Sequence, residues 1–227
     1  MFLKAVLKIG GSLARGDALP ALCQGLAASG RKHAVLVVPG GGAFADAVRD
    51  CHGRFPLGES AAHWMAILAM DQYGLLLADL IPDARIVTDP ESARSVARRG
   101  RVPVLLPSAW LRRDDPLPHS FDVTSDSIAA WIALEANIRQ CVLVKDTDGL
   151  CRTDPRQDPA ARPQPVMSLA ELAACRGVDR HLPGLLAGSG LDLWAVCGER
   201  PERLAELLAT GHTIGTRVPP QTDEAEE

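Results

Sequence analysis

The chain has 227 residues, of which 47% are apolar and 23% are charged, and its formal net charge is -4. A chain of this composition folds around a sizeable core, which excludes disordered, fibrous and coiled-coil proteins. Because acidic residues outnumber basic ones, the sequence offers no basic surface for nucleic acid.

No segment has the features of a membrane span or a secretion signal. The longest apolar stretch, residues 64–81, is interrupted by Asp71, Gln72 and Asp79 and is closed by Pro82, which makes it a poor membrane span. The apolar run at the N-terminus is too short for a signal peptide or an anchor. The six cysteines lie far apart, without metal-binding spacing, a pattern typical of reduced thiols. We therefore expect a cytoplasmic protein without a membrane partner.

Short apolar runs alternate with segments of helical periodicity along the whole chain. In chain order, the predicted elements are strand 5–9, helix 19–28, strand 34–38, helices 43–49 and 60–80, strand 102–106, helix 127–136, strand 141–144, helices 169–174 and 185–187, strand 193–197, helix 202–209 and a short last strand near 213–216. Continuously apolar strands that alternate with helices indicate a mostly parallel sheet covered by helices on both faces.

The chain shows no internal repeat and no break in composition, so residues 1–218 are predicted to form one domain. Residues 152–165 are rich in Pro and Asp and are predicted as a loop or a mobile hairpin. The acidic residues 219–227 are predicted as a disordered tail. In α/β folds of this kind, ligands bind outside the carboxyl ends of the strands.

Two glycine clusters follow the first two predicted strands, Gly10-Gly11-Ser12 and Gly40-Gly41-Gly42. Consecutive glycines let a backbone approach phosphate oxygens closely, and a helix N-terminus just beyond adds positive potential. Each cluster alone is also compatible with a simple tight turn. The second cluster fits a dinucleotide fingerprint only weakly, because no acidic residue follows at the required distance, and the chain has no Walker A motif.

Two polar clusters follow later in the chain. Residues 124–127 read Thr-Ser-Asp-Ser before a predicted helix, and residues 145–150 read Lys-Asp-Thr-Asp-Gly-Leu after a predicted strand. Taken singly, the first is typical of a helix N-cap and the second of a turn. The four clusters in this order, however, resemble the amino-acid kinase family over about residues 4–218.

The resemblance implies an α/β fold, a three-layer α/β/α sandwich with an open, mainly parallel sheet, and ATP as the phosphoryl donor. Residues 60–67, 105–108, 119–127 and 198–203 are similar to the branch of the family that serves methanofuran biosynthesis. Kinases of that branch convert [5-(aminomethyl)furan-3-yl]methyl phosphate and ATP to the diphosphate and ADP. A small phosphate monoester is therefore the expected substrate, and a homo-oligomer the expected assembly.

The resemblance also implies roles for residues of the four clusters. Lys8 corresponds to the lysine that bridges the transferring phosphoryl group, and Asp126 to the aspartate that holds this lysine. The residues expected at the β- and γ-phosphates of ATP are Gly10, Gly11 and Ser12. Those expected at the acceptor phosphate are Gly40, Gly41 and Gly42. Those expected at the ribose and adenine are Lys145, Asp146, Asp148 and Gly149. Mg²⁺ is expected on the ATP phosphates, largely without protein ligands.

The acceptor side is defined by fewer signals. His63 and His119 are predicted near the acceptor, although a lone histidine on an apolar helix is often an ordinary packing residue. Asp71 and Asp122 are the candidates for binding the cationic aminomethyl group, and either is equally compatible with an ordinary surface acid.

One departure from the family pattern concerns a second lysine. Many members carry one on the helix after the nucleotide hairpin, whereas this chain has no lysine after position 145. Either Lys145 or an arginine such as Arg180 takes its place, or transfer is slow. Two other functions stay open: a kinase of isopentenyl phosphate or UMP from the same family, and a non-catalytic nucleotide- or anion-binding or storage protein.

Overall fold

A seven-stranded sheet forms the centre of the computed structural model, which describes residues 2–153, 157–158 and 160–221. Its strands are β1 (Ala5–Ile9), β2 (Val35–Pro39), β3 (Arg85–Val87), β4 (Pro103–Leu105), β5 (Gln140–Lys145), β6 (Asp192–Cys197) and β7 (Thr216–Val218). They lie in the order β3-β4-β2-β1-β5-β6-β7, and every neighbouring pair is parallel except β6 with β7. The predicted α/β class with a mainly parallel sheet is confirmed.

Helices connect the strands in the described part of the chain. They are a 3-10 helix (Gly11–Arg15), α1 (Leu19–Lys32), α2 (Gly42–Arg54), α3 (Glu59–Leu80), α4 (Pro90–Arg98), α5 (Ser108–Asp114), α6 (Ser125–Glu135), α7 (Leu169–Ala174), α8 (Leu182–Leu186) and α9 (Pro201–Thr210). Local sequence explains several helix starts. At the start of α4, the Asp89 carboxylate accepts a hydrogen bond from the Ser92 amide. At the start of α7, Ser168 and Glu171 form a capping box. Both arrangements give hydrogen-bond partners to first-turn amides that have none within the helix.

The side chains of the central strands alternate between two hydrophobic cores. On β1, Val6 packs into the core that contains Ile128 and Trp131 of α6. The next residue, Leu7, packs into the other core with Leu26 of α1 and Leu207 of α9. This alternation is expected because successive side chains of a strand point to opposite faces of the sheet. Helices therefore cover both faces, and the chain is a three-layer α/β/α sandwich.

Some elements differ from those predicted by the sequence. The unpredicted elements are the 3-10 helix, β3, α4 and α5. Strand β3 has three residues, of which Arg85 and Ile86 are exposed, so it lacks the apolar run that marks a buried strand. Helix α4 buries only Ala93 and Ala97. The last strand forms two to three residues later than expected, where Thr216 pairs with Ala195.

Two predicted features fall partly outside the described residues. These are the acidic tail, of which residues 222–227 are not described, and the loop 152–165, of which residues 154–156 and 159 are not described. At the described ends of that loop, Cys151 and Pro163 form an isolated antiparallel bridge. Among the described helices, none combines the length and the apolar character that a membrane crossing requires.

Candidate active site

The carboxyl ends of β1, β2 and β5 lie side by side at one edge of the sheet, because β1 pairs in parallel with both neighbours. The loops that follow these strands therefore meet in space. They contain both glycine clusters and the 145–150 turn. The N-terminus of α6 reaches the same edge, so the four sequence clusters come together.

A buried carboxylate joins two lysines at this edge. Asp126 Oδ1 lies 2.8 Å from Lys8 Nζ, and Asp126 Oδ2 accepts a hydrogen bond of 2.9 Å from Lys145 Nζ. The side chains of Lys8 and Asp126 are only 8% and 5% exposed, and that of Lys145 is 15% exposed. The contact between Lys8 and Asp126 is the one that the sequence predicts, whereas Lys145 was expected at the ribose of the nucleotide.

The charges of this cluster shift one another's protonation. Burial alone would raise the pKa of Asp126, but the charges of Lys145 and Lys8 outweigh it and hold that pKa well below its usual range. For Lys8, burial is the largest influence and lowers the pKa of its ammonium; attraction to Asp126 opposes this, and repulsion from Lys145 adds to it. Two ammonium groups share one carboxylate, so the cluster carries net positive charge, which suits a phosphoryl group in transfer.

The N-terminus of α6 is held by Asp179, a buried residue that the sequence did not single out. One carboxylate oxygen accepts hydrogen bonds from the Thr124 amide at 2.8 Å, the Thr124 hydroxyl at 2.8 Å and the Ser127 amide at 3.0 Å. The other accepts from the Ser127 hydroxyl and, at 3.0 Å, from the Leu182 amide. Asp179 therefore fixes the turn of helix that carries Asp126 and joins it to the start of α8.

Replacing Asp179 by alanine is expected to lower the free energy of unfolding by at least about 3 kcal/mol, because buried amides and hydroxyls lose a charged acceptor. Urea denaturation measures the loss, and Asp50→Ala, at an exposed position of α2, is the control. Equal small losses in both variants would contradict this role.

The two glycine loops pack backbone against backbone. A Cβ on Gly11 would lie 2.2 Å from the Gly42 nitrogen, and one on Gly40 would lie 2.9 Å from the Gly11 nitrogen. The Gly10 amide donates to Val144 O and the Gly40 amide to Ile9 O, both at 2.8 Å. These two amides are therefore already used by neighbouring strands and are not free to bind phosphate. Phosphate binding by Gly11, Ser12, Gly41 and Gly42 stays a prediction.

On the β5 side, the cluster opens into a cavity of about 300 Å³. Its lining contains Lys8, Gly10, Gly11, Ser12, Lys145, Asp146, Thr147, Gly149, Leu150, Cys151, Thr153, Arg176 and Gly177. Most residues expected to bind the nucleotide thus share this space, which we call the nucleotide cavity. Gly149 has a φ of +152° and a Cβ there would lie 2.6 Å from Thr216 Oγ1, so the turn requires glycine.

Asp148, the remaining residue expected at the nucleotide, does not line this cavity. Its exposed carboxylate pairs with Arg203 of α9, so the prediction of a direct contact for Asp148 is not supported by the geometry. The candidates for the role of the second lysine differ in position. Arg180 has a side chain 86% exposed, 4.0 Å from Asp122, whereas Lys145 lies within the buried cluster and Arg176 lines the nucleotide cavity.

A second cavity, of about 360 Å³, lies on the β2 side, and we call it the acceptor cavity. Its lining contains Gly41, Ala45, Arg49, His52, Glu59, His63, Ala66, Ile67, Met70, Ser120, Phe121, Val123, Thr124, Ser125 and Ile128. Gly41 and Ser125 adjoin Gly42 and Asp126, which connects this cavity to the lysine cluster. The walls are mainly apolar, with a few polar groups at defined places, as is usual for small-molecule sites.

The two predicted histidines lie together beside the acceptor cavity. His63 lines it, and His119 stacks on His63 with ring centroids 4.3 Å apart. Burial, followed by repulsion from His119, lowers the pKa of His63, and Asp115 opposes both effects. Neutral His63 is therefore the form favoured at this wall.

The two predicted aspartates, Asp71 and Asp122, are not among the residues that line the acceptor cavity. Asp71 accepts hydrogen bonds from the amide and hydroxyl of Ser108 at the start of α5, and burial raises the pKa of its carboxyl against these hydrogen bonds. Asp122 has a side chain 64% exposed, near Arg180. The carboxylate among the described lining residues is Glu59, at the first turn of α3.

Sequence reasoning also missed Arg49 and His52 of α2 as lining residues. His52 stands against Phe121 with ring centroids 4.9 Å apart, and its Nδ1 is buried with no hydrogen-bond partner among the described residues. A buried polar atom without a partner at a cavity wall is available to a ligand. Both residues could have been predicted from the sequence, because they lie on α2, the helix that begins at the second glycine cluster.

Two cavities on either side of buried lysines, with glycine loops between them, define a phosphotransferase site. Residues 4–186 match the amino acid kinase family. The chain belongs to this family.

Several kinases are among the relatives and solved structures that resemble the chain. It is 29% identical over 215 residues, 94% of this chain and 96% of the relative, to a [5-(aminomethyl)furan-3-yl]methyl phosphate kinase of Methanocaldococcus jannaschii. It is 25% identical to a uridylate kinase of Methanococcoides burtonii over 94% of this chain and 98% of that protein. The fold is similar to uridylate kinase from Archaeoglobus fulgidus, with a TM-score of 0.73, 20% identity, and coverage of 95% and 99% of the two chains.

Proposed function

We propose that this kinase transfers the γ-phosphoryl group of ATP to the phosphate of [5-(aminomethyl)furan-3-yl]methyl phosphate, giving the diphosphate and ADP. The observation that carries the proposal is the acceptor cavity, which combines apolar walls with a single lining carboxylate, Glu59, among the described residues. The similarity to the kinase from Methanocaldococcus jannaschii, over nearly the full length of both chains, supports the choice of acceptor.

ATP would occupy the nucleotide cavity, with its phosphates toward Lys8, Gly11 and Ser12. The glycines of the two loops pack closely against each other and carry no side chains that would keep phosphate oxygens away from backbone amides, which suits anion binding. Mg²⁺ would neutralise part of the phosphate charge. Asp146 is the carboxylate among the described residues that line this cavity, and it would be the group nearest the ion's water shell.

In the transfer, an oxygen of the acceptor phosphate attacks the γ-phosphorus, a new P–O bond forms, and the bond to the β-phosphate oxygen breaks with ADP leaving as the anion. The attacking oxygen is already anionic, so no general base is needed, and the main obstacle is repulsion between phosphates. Lys8 and Lys145 supply the opposing charge. Asp126 holds both ammonium groups at 2.8 and 2.9 Å, so they are positioned before the substrates arrive.

On the acceptor side, the furan ring would lie against the apolar wall and Phe121, and the ammonium would face Glu59. Replacing Glu59 by glutamine should lower kcat/KM for the aminomethyl acceptor by roughly two- to fivefold, since Glu59 is exposed and its ion pair is partly screened. An analogue with methyl in place of aminomethyl should lose much less. Glu91→Gln is the matched control, because Glu91 also lies in the first turn of a helix but is remote from the cavity.

The experiment that tests the proposed function is a coupled assay of ADP release with three acceptors: the aminomethylfuran phosphate, isopentenyl phosphate and UMP. We expect the highest kcat/KM with the first. A preference for UMP or isopentenyl phosphate would contradict the proposed identity of the acceptor. Saturable ATP binding without ADP release from any of the three would favour the non-catalytic binding protein.

A homo-oligomer remains a prediction. Helix α3 exposes Leu68, Leu75 and Leu76 on its surface, and apolar side chains grouped on one helix are typical of surfaces that a partner covers. Light scattering coupled to size-exclusion chromatography measures the mass of the assembly.

A further inference from the structure

A cluster of two histidines, a carboxylate and a serine lies at the outer wall of the acceptor cavity. His119 Nδ1 lies 2.8 Å from Ser60 Oγ, and His119 Nε2 lies 2.9 Å from Asp115 Oδ1. His63 stacks on His119 with the ring planes inclined by 20°. One ligand atom from each of His63, Asp115 and His119 lies within 4.8 Å of the other two. Phosphoryl transfer, as derived above, uses neither Asp115 nor Ser60.

The spacing of these atoms is close to that of a metal site. Ligands that share one tetrahedral Zn²⁺ at about 2.0–2.1 Å lie roughly 3.4 Å apart, so closure requires side-chain shifts of roughly 1 Å. Two imidazoles and one carboxylate form a ligand set typical of zinc sites that keep a fourth position open.

Hydrogen bonds to neighbouring side chains fix the orientation of the His119 ring. The hydrogen bond between Ser60 Oγ and His119 Nδ1 leaves Nε2 directed at Asp115, and such a partner on the second ring nitrogen fixes a ligating histidine. His63 is buried, and burial favours its neutral imidazole, the form that binds metals. Asp115 has a φ of +36° at the end of α5, a left-handed conformation that turns the chain back toward α3.

The position of the cluster indicates what an ion there would do. Ser60 and His63 belong to α3, whereas Asp115 and His119 belong to the segment after α5, which continues into Ser120 and Phe121 of the cavity wall. An ion bound by both would tie that wall to α3.

We propose that His63, Asp115 and His119 bind one Zn²⁺ ion, with Ser60 as a positioning residue and the fourth ligand position open to water. Metal binding at His119 Nε2 would require this nitrogen to be free of its proton: in a neutral imidazole the proton moves to Nδ1, where Ser60 Oγ accepts it, and an imidazolium releases its second proton to solvent. The inference does not depend on which phosphate monoester is the acceptor.

Titration of the full-length protein with Co²⁺, which prefers similar ligands, tests the site by its visible absorption. We expect one Co²⁺ per chain, displaced by Zn²⁺. A site of nitrogen and oxygen ligands lacks the near-ultraviolet thiolate charge-transfer band that the six free cysteines would produce. His63→Ala and His119→Ala should each weaken binding by roughly 10–100-fold and Ser60→Ala by roughly tenfold, whereas His212→Ala, at an exposed position, should bind as the wild type does.

Three results would overturn the site: no saturable binding, a thiolate band, or equal affinity in the wild type and both histidine variants. Circular dichroism checks that each variant is folded. Should the buried His63 be needed for folding, the partly exposed His119 carries the test alone. Because the readout is metal affinity, failure of the zinc site leaves the proposed kinase reaction untouched, and failure of the acceptor assay leaves the zinc site untouched.

Discussion

Replacing Lys8 by alanine is expected to lower kcat by roughly 10²–10³-fold, the cost of losing a charge aimed at the transferring group. The side chain is 8% exposed and its ammonium is held by Asp126, so bulk water does not readily take the place of this charge. The KM for ATP should change much less, because backbone and side chains of the nucleotide cavity still bind the nucleotide.

Lys8→Arg should lose nearly as much activity as Lys8→Ala. A Cβ placed at Gly40 would lie 3.5 Å from Lys8 Cε, so the packing around the lysine stem fits a narrow chain with a compact ammonium. The planar guanidinium is broader and places its charge differently. ADP release measures kcat, calorimetry measures ATP binding, and Lys32→Ala, at the exposed end of α1, is the control. Normal turnover by Lys8→Arg would contradict the role of Lys8.

Replacing Asp126 by asparagine is expected to lower the free energy of unfolding by about 3–5 kcal/mol, the cost of removing one partner from a buried ion pair. Asparagine keeps the shape of the side chain but leaves Lys8 and Lys145 facing each other without a counter-charge. The same change should reduce kcat, because both ammonium groups lose the contact that positions them. Urea denaturation measures the first effect and ADP release the second.

A second substitution distinguishes lost charge from lost shape. Adding Lys145→Met to Asp126→Asn removes one of the two uncompensated charges, so the double variant should regain part of the lost stability. The coupling energy between the two sites should therefore be large. Strictly additive losses would mean that the two side chains do not interact as the structure indicates.

The contribution of Asp126 also depends on pH. The lysines hold its pKa in the folded protein well below the usual value, so its stabilising effect is fully present above the unfolded pKa of about 3.9, begins to decrease below it, and is lost as the pH falls through the folded pKa. The difference in unfolding free energy between the wild type and Asp126→Asn should be constant from about pH 7 to 5 and shrink toward about pH 3. A difference that grows on acidification would contradict this assignment.

Features carried by neighbouring residues could be predicted from the sequence alone. The run at 5–9 is apolar except at Lys8, and the run at 141–144 is apolar throughout. Such runs indicate strands buried on both faces, and the structure has strands at Ala5–Ile9 and Gln140–Lys145. Glycines directly after such strands indicate where phosphate can approach the backbone. The order of the clusters was enough to identify the family.

Partners that are distant in the sequence could be found only in the folded chain. Asp179 is 52 residues from Ser127, and nothing near it in the sequence indicates that it holds the start of α6, the helix that carries Asp126. On the acceptor side, Asp71 accepts a hydrogen bond from Ser108, 37 residues away, at the start of α5. The carboxylate that lines the cavity is that of Glu59, not that of Asp71. Local periodicity determines strands, helices and turns, whereas the partner of a polar side chain depends on which elements pack together, and tertiary structure alone decides that.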